Sequence, residues 1–514
     1  MAEEPEESLI DPSPPPQAPR RKLRLGRLFA YGFLTLWALT ALWNLFKPLP
    51  GGVAIRGTIV ETPLNQLQFL NDVTGADVFG APVVRQQIFD SVFALIGQSR
   101  EFLVLDFFLF NDQSGAATDV KPNRELSREL RDALLARKRA MPQMHILVVA
   151  DPVNDVYGAL PSRYFADLRG AGIDVVTPDL DDLRDSNPIY SSLWRLTMGW
   201  WAGDGTGEAS LPNPLDAGPE KVSLAAWGRL LNFKADHRKV ILGDDGKGGL
   251  TGIVTSANPH DASSLHSNVA LKFSGLALEP LLESELDIAR EAGWRGGWDA
   301  SPTSEATPTA LAPENTARVQ VLTEGEIGAA IVRNVTGARV GDSIDIAMFY
   351  LSERDVIQSL IAAAKRGVAV RVLLDPNKDA FGRTKNGIPN RSVATELAAA
   401  SDGAIKVRWF RTHGEQFHSK LVSMRTATEF WFTLGSANLT RRNIENYNLE
   451  ANVAVSVPLN ADIATQITTW FDSLWTNHGP PELEYTAEFG AYADPAQSSY
   501  WLYRLMEATG LSTF

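Results

Sequence analysis

Two stretches of the chain, 181 residues apart, carry the same small set of reactive side chains at nearly the same offsets. His237-Arg238-Lys239 opens one strand-like run, HRKVILGDD, and Thr255-Ser256-Ala257-Asn258 closes the next. His418-Ser419-Lys420 opens a second such run, and Gly435-Ser436-Ala437-Asn438 closes the one after it. His237 and Asn258 are 21 residues apart, His418 and Asn438 are 20, and another asparagine follows each by 10, at Asn268 and Asn448. The surroundings repeat as well. EFLVLDFFLF (101–110) resembles DSIDIAMFYL (342–351), and MHILVVADP (144–152) resembles VAVRVLLDP (368–376). All four are apolar runs of strand length. Segments of helical period flank them, at 82–97 and 124–140 in the first copy and at 325–338 and 352–367 in the second. Strands and helices in this order predict an α/β fold, with a mixed sheet covered by helices in each copy. The Pro/Ala/Thr-rich stretch 301–315 reads as a linker between a first domain (51–300) and a second (316–480), and 481–514 as a C-terminal extension.

On a strand, residues i and i+2 share a face, so His237 projects with Lys239 and His418 with Lys420. An imidazole beside an ammonium suits a phosphate, because the ammonium binds non-bridging oxygens as a point charge. Asn258 and Asn438, at the ends of the adjacent strands, can donate to the same oxygens, and Ser256 and Ser436 stand beside them. Neutral imidazole is available near pH 7. One His can therefore attack phosphorus to give a covalent phosphohistidine while the other protonates the leaving oxygen. The second His then takes a proton from water or an alcohol to discharge the intermediate. This scheme calls for no metal and no other cofactor. The chain has no cysteine, which excludes a thiolate-bound zinc.

The doubled pattern resembles the phospholipase D superfamily, whose signature is His-x-Lys-x4-Asp, twice per active site. The first copy is complete, with His237, Lys239 and Asp244; in the second, Arg425 stands where Asp would be. The resemblance covers roughly residues 80–480. It implies two phospholipase D-like α/β/α sandwich domains in a pseudo-twofold arrangement, with the site at their interface. It also implies supporting or phosphate-binding roles for Asp244, Asn258, Asn438, Ser256 and Ser436. Glu450 matches the acidic position that orients a catalytic imidazole. By simple offset the first copy has Ala270 there, which makes Asp261 a candidate replacement. The nucleophile is assigned to His237 because its motif is intact, and His418 takes the acid/base role. The remaining histidines, His145, His260, His266, His413 and His478, are read as non-catalytic, with His413, His260 and Asp261 as candidates to line the pocket.

Ahead of both copies, a Pro-rich acidic tail ends in a basic cluster (Arg20, Arg21, Lys22, Arg24, Arg27), and Leu28–Phe46 then runs 19 residues without a charge. At 1.5 Å per residue that is about 28 Å, close to a bilayer core of roughly 30 Å. No small-x-small site follows, so the segment reads as an uncleaved single-pass anchor rather than a signal peptide. The positive-inside rule places the N-terminus in the cytoplasm and residues 51–514 on the extracytoplasmic side, the periplasm in a bacterium. An insertion before His237 holds Trp194, Met198, Trp200 and Trp201, which reads equally as a lip for acyl chains or as a helix packed on the core. The segment 500–510 reads as a helix docking on the core.

These features favour phospholipid as substrate, with the bilayer as partner and water or an alcohol as acceptor. The rival reading is a nuclease. It needs a basic groove on a body whose net charge is −13, to be built from Arg229, Lys234, Arg238, Arg408, Arg411, Arg441 and Arg442. A membrane scaffold with decayed sites is the non-enzymatic reading.

Overall fold

A computed structural model of the chain describes residues 20–77, 79, 81–115, 123–200, 205–298, 313–380, 383–478 and 483–512. The acidic tail up to residue 19, Trp201 and most of the expected linker lie outside the described residues. A long helix, α1 (Arg20–Phe46), comes first, then β1 (Val60–Pro63), β2 (Leu67–Ala76), β3 (Pro82–Arg85), α2 (Ile88–Gln98), β4 (Phe102–Phe107), α3 (Leu126–Ala140), β5 (His145–Ala150), α4 (Arg163–Gly170) and β6 (Asp174–Val176). The insertion supplies α5 (Pro188–Thr197), a short hairpin of β7 (Leu211–Pro212) and β8 (Lys221–Val222), and α6 (Leu224–Leu230). The first half closes with β9 (Lys239–Asp244), β10 (Leu250–Thr255), β11 (Asn268–Ser274) and α7 (Glu279–Glu291). The second half begins with β12 (Thr316–Thr323), α8 (Gly325–Gly337), β13 (Ser343–Met348), α9 (Arg354–Lys365), β14 (Ala369–Leu374), a small hairpin of β15 (Asp379–Ala380) and β16 (Arg383–Thr384), and α10 (Asn390–Ala400). It continues through β17 (Lys406–Phe410), β18 (Lys420–Arg425), β19 (Glu429–Gly435), α11 (Arg441–Ile444), β20 (Ala451–Pro458), α12 (Asp462–Thr476), β21 (Thr486–Glu488) and α13 (Gln497–Thr509).

Two large mixed sheets result. The first has the order β3-β2-β11-β10-β9-β4-β5-β6, and the second β1-β12-β20-β19-β18-β13-β14-β17-β21. Strands β2-β11-β10-β9-β4-β5-β6 correspond one for one with β12-β20-β19-β18-β13-β14-β17. The senses agree too: antiparallel as far as β4 and β13, parallel beyond them. The duplication seen in sequence is thus a duplication of topology.

Both faces of each sheet are buried, which is why the strands read as continuous apolar runs. In β9, Val240 and Leu242 face a central core shared with the second sheet, whereas Ile241 faces α2, α3 and α4. In β18, Leu421 faces the same central core, and Val422 and Met424 face α8, α9, α10 and α13. The two sheets therefore pack through one common hydrophobic layer. The strand β1 crosses the expected boundary: although it precedes the first repeat, it pairs with β12 of the second sheet.

One predicted helix starts later than its periodicity suggests. Residues 82–85 of the expected 82–97 helix form β3 instead, paired with Val73–Ala76. Val83 and Val84 are β-branched and suit a strand. The helix begins at Ile88, where the Asp72 carboxylate accepts the N–H groups of Gln87 (2.7 Å) and Ile88 (3.1 Å).

Among the described residues, α1 is the one helix long and apolar enough, over Leu25–Phe46, to cross a membrane. Its last turns pack on α5, with Trp37 Nε1 donating to the Ile189 carbonyl (3.1 Å) and Asp185 N to the Asn44 carbonyl (2.9 Å). Of the insertion's tryptophans, Trp194 is buried and Trp200 is exposed.

Candidate active site

The two His-x-Lys segments enter their sheets from the same kind of corner, at the C-terminal ends of β4 and β13. Phe107 pairs with Lys239, and Met348 with Lys420. Just before each, the chain makes a single parallel bridge to the other half: Asp236 with Leu449, and Phe417 with Ser267. These reciprocal bridges bring His237 to the start of β20 and His418 to the start of β11, each in the opposite half. His237 Nδ1 lies 2.8 Å from Glu450 Oε1, and His418 Nδ1 lies 3.1 Å from Asn268 Oδ1. Glu450 and Asn268 are equivalent positions, because each takes the hydroxyl of its own half's Ser-x-Asn serine, Ser436 and Ser256 respectively.

The sequence offset had placed Ala270 opposite Glu450. That correspondence is wrong by two residues, because the loop from Asn438 to Glu450 is two residues longer than that from Asn258 to Asn268. Asp261 is not the missing carboxylate either. Its Oδ1 accepts from the backbone and hydroxyl of Ser127 (3.0 and 2.6 Å).

These contacts set the tautomers. A carboxylate only accepts hydrogen bonds, so His237 carries its proton on Nδ1 and leaves Nε2 as a lone pair. The Asn268 amide is held with its oxygen toward His418, because its Nδ2 donates to the His266 carbonyl (3.1 Å) and its Oδ1 accepts from Ser256 Oγ (2.9 Å). His418 therefore has the same tautomer. Glu450 is further held by Asn443 Nδ2, whose Oδ1 takes the Thr440 hydroxyl (2.6 Å).

The lysines are arranged alike. Lys239 Nζ donates to the His237 carbonyl (2.6 Å) and lies 5.2 Å from the Phe108 ring centre. Lys420 Nζ donates to the His418 carbonyl (2.8 Å) and lies 5.2 Å from the Phe349 ring centre. The same two rings cover the imidazoles, at 4.8 Å for Phe108 with His237 and 5.0 Å for Phe349 with His418.

Burial dominates the electrostatics. It pulls His237 down to about 4; the Glu450 carboxylate opposes this, and Lys239 and Lys420 reinforce it. His418 is held well below the ordinary imidazole value, first by burial and then by Lys420, His266, Lys239 and His237. Burial likewise lowers Lys239 to about 8, and Lys420 well below its usual range. Burial alone would raise Glu450, but His237 and Lys239 outweigh it and keep its carboxyl below the ordinary value. The histidines and lysines of both halves thus act on one another and form a single electrostatic unit with two neutral imidazoles at pH 7. As pH falls through about 4, His237 takes up a proton and its Nε2 lone pair is lost. The unfolded chain protonates it from about 6.5 downward, so this group also withdraws folding stability as pH drops between those values.

The remaining predicted residues divide. Ser256 and Ser436 steady Asn268 and Glu450 rather than a phosphate. Asn258 Oδ1 accepts from Leu109 N (3.2 Å), while Asn438 is buried with its Oδ1 unmatched among the described residues. Of the two roles expected of Asp244, supporting or phosphate-binding, its contacts are those of a supporting group. It sits at the far end of β9 and accepts the N–H groups of Arg100, Glu101, Phe102 and Gly246, which fixes the start of β4. The substitution at 425 is tolerable for the same reason, since Arg425 lies at that remote end and donates to Thr468 Oγ1 (3.3 Å).

Sequence reasoning missed Asp151 and Asp375. They end the repeated VVADP and VLLDP runs and are fully buried. Asp151 Oδ2 accepts from Asp236 N (2.7 Å), and Asp375 Oδ2 from Phe417 N (2.8 Å), the residues just before the two histidines. The Asp-Pro repeat was the available signal, as the aligned aromatics of DFFL and AMFY were for Phe108 and Phe349. Replacing Asp151 with alanine strands that buried N–H. A loss of about 1–3 kcal/mol in stability is expected, read as a lower urea midpoint.

The match to a known family covers the second half of this geometry, with His418, Lys420, Asn438 and Glu450. Residues 331–475 match the family described as cardiolipin synthase, phospholipase D-like domain. Residues 331–475 thus carry a phospholipase D-like domain. No curated protein sequence matches it. Among solved structures, a phosphatidylserine synthase from Haemophilus influenzae Rd KW20 aligns over 91% of this chain and 97% of its own, with a TM-score of 0.52 and 12% identity. At that identity the likeness is one of fold. A polyphosphate kinase from Porphyromonas gingivalis (86% of this chain, 53% of its own, TM-score 0.43, 12% identity) and the phospholipase D family member Nuc from Salmonella typhimurium (31%, 95%, 0.26, 20%) are more distant in shape. The two halves here differ in one respect that bears on chemistry: a carboxylate backs one imidazole and an amide the other.

Proposed function

We propose that the protein is a membrane-anchored phosphodiesterase or phosphatidyltransferase acting on phospholipids through a phosphohistidine intermediate. The observation that carries this reading is the carboxylate–imidazole pair Glu450–His237, set beside a second buried imidazole and two buried lysines from both halves. In the proposed cycle, the phosphodiester sits between Lys239 and Lys420, whose charges balance its own. His237 Nε2 attacks phosphorus, an N–P bond forms, and the P–O bond to the leaving alcohol breaks. His418, protonated once the anionic substrate offsets its cationic neighbours, gives its Nε2 proton to that oxygen. Neutral His418 then takes a proton from water or an incoming alcohol, whose oxygen displaces His237 and completes the exchange. Glu450 stabilises the positive charge that His237 acquires, which supports His237 as the nucleophile.

The reading as two domains (51–300 and 316–480) sharing one site, on the extracytoplasmic side of a single span, accompanies this proposal. A match to a cardiolipin synthase-type domain and an apolar α1 both favour a lipid substrate. Most of the cations that a nuclease groove would need already have partners, at the surface for Arg408 and Arg411 and in the interior for Lys234, Arg238 and Arg442. Lys234 pairs with Asp185 (2.7 Å), Arg238 with Glu285 and Glu324, Arg408 with Glu488, Arg411 with Glu484, and Arg442 holds carbonyls of the C-terminal segment.

The test is to give the purified chain labelled phosphatidylglycerol with water, glycerol or a second phosphatidylglycerol as acceptor, and plasmid DNA in parallel. Lipid turnover that His237→Ala abolishes is expected; turnover of DNA alone would reject the lipid reading. Glu450→Gln keeps a hydrogen bond but removes the charge that stabilises the imidazolium. A fall in kcat of about 10²-fold is expected.

A further inference from the structure

The first apolar helix poses a conflict of lengths. Crossing a bilayer core of roughly 30 Å takes about 20 residues of helix. Yet from Trp37 onward one face of α1 is covered by the protein: Trp37, Thr40, Ala41, Asn44 and Leu45 are at least partly buried. Only residues 25–36 of the candidate span are bare all round, and they reach about 18 Å. If α1 spans, the part of the domain packed on its last turns lies at bilayer depth. That part is α5, tied to α1 at Ile189 and Asp185.

The outer surface of α5 fits such a place, since Ile189, Leu193 and the following Trp200 are exposed. Where α1 ends, Lys47 Nζ and Arg195 Nη2 both donate to the Asp181 carbonyl (2.6 and 3.2 Å), and Arg184 Nε donates to the Lys47 carbonyl (2.8 Å). Arg195 also pairs with Asp185 (3.1 Å) and Asp181 (3.4 Å), so this cluster fixes the end of α1 to the segment that leads into α5.

A second helix joins this edge. α13 is docked by Tyr503 and Glu507, which are buried, while Trp501, Leu502 and Leu505 on its other side are 65%, 45% and 59% exposed, and Leu511 beyond it 49%. Its end is locked to the start of α5. Gly510 has φ +72°, and a Cβ there would lie 1.6 Å from the Ser186 carbonyl oxygen. Arg442 clasps both, with Nε on Ser186 Oγ (3.1 Å) and Nη2 on the Gly510 and Ser512 carbonyls (2.9 and 2.7 Å).

We infer that α5 and α13 form one platform that sinks into the same leaflet from which α1 emerges, so the protein rests on the bilayer through three helices rather than hanging from one. The occupant of the apolar face is lipid. The inference rests on α1 being a span and not on the enzymatic reading, so activity is not its readout.

Because the chain has no cysteine, single cysteines can be placed on the full-length protein at Leu193, Trp501 and Leu505, with Phe29 to report on α1 and Lys247, at the far end of β9, as a control. Each is labelled with an environment-sensitive fluorophore and reconstituted in phosphatidylethanolamine/phosphatidylglycerol vesicles containing doxyl-labelled lipid. Quenching at 193, 501 and 505 at least threefold above that at 247 is expected, alongside quenching at 29. Quenching at 29 with 501 and 505 no different from 247 overturns the platform; no quenching at 29 overturns the anchor and the platform with it. Pyrene excimers at 501 or 505 without lipid quenching would assign the face to a second copy and also overturn the inference.

Discussion

His237→Ala is expected to lower kcat on the lipid substrate by about 10⁴-fold or more, because it removes the atom that bonds to phosphorus and, with it, the covalent route. His418→Ala should cost nearly as much with an alkyl leaving group, which needs the proton. The double variant should be scarcely worse than either single one, since the two imidazoles act in one cycle. The assignment of roles has its own readout. A phosphodiester with a nitrophenolate leaving group departs without protonation, so His418→Ala should still be phosphorylated but not discharged. Mass spectrometry of the quenched variant should then find the adduct on His237. An adduct on His418 in His237→Ala, with none in the converse variant, would reverse the roles. Full activity in either alanine variant would end the shared-site reading.

Arg238→Met is expected to produce the largest stability loss of any single change considered. Arg238 lies between the two His-x-Lys partners in sequence but faces away from the site. It is fully buried between Glu285 (3.1 Å), Glu324 (2.9 Å), Ser284 and the Val53 carbonyl, with Asp106 and Asp236 close by. Burial raises Asp236 and Glu324 to about 7, and Asp106 well above the carboxylate range. Removing the one guanidinium leaves these acids facing each other in the interior. Breaking a buried pair in this way costs about 3–5 kcal/mol. The sign of the pH dependence follows. Acids raised in the folded state contribute stability that is fully present below their ordinary values and is lost as pH rises through about 7. The deficit of Arg238→Met in urea should therefore widen from pH 6 to pH 8. An equal deficit at both would show that the cluster is not titrating. Since Glu324 also takes the Glu450 N–H (3.0 Å), the same change should disturb the carboxylate behind His237.

The chain alone determined the parts of this protein that depend on spacing along a strand. The two His-x-Lys pairs, the apolar strands that carry them, the order of helices between them and the apolar N-terminal helix all follow from periodicity and offset, because neighbours on a strand or helix have fixed relative directions. Tertiary structure decided which groups complete each histidine. Glu450 lies 213 residues from His237, and Asn268 lies 150 from His418. Each reaches across the interface to the other half's imidazole, through edge bridges that no local pattern encodes. A loop two residues longer in one half was enough to hide that Asn268 and Glu450 are equivalent. The same holds for Arg238, whose neighbours in sequence suggested a phosphate but whose side of the strand faces a sealed interior. Sequence spacing specifies direction within an element; the contacts between elements, and so the chemistry of this site, arise only when two sheets close on a common core.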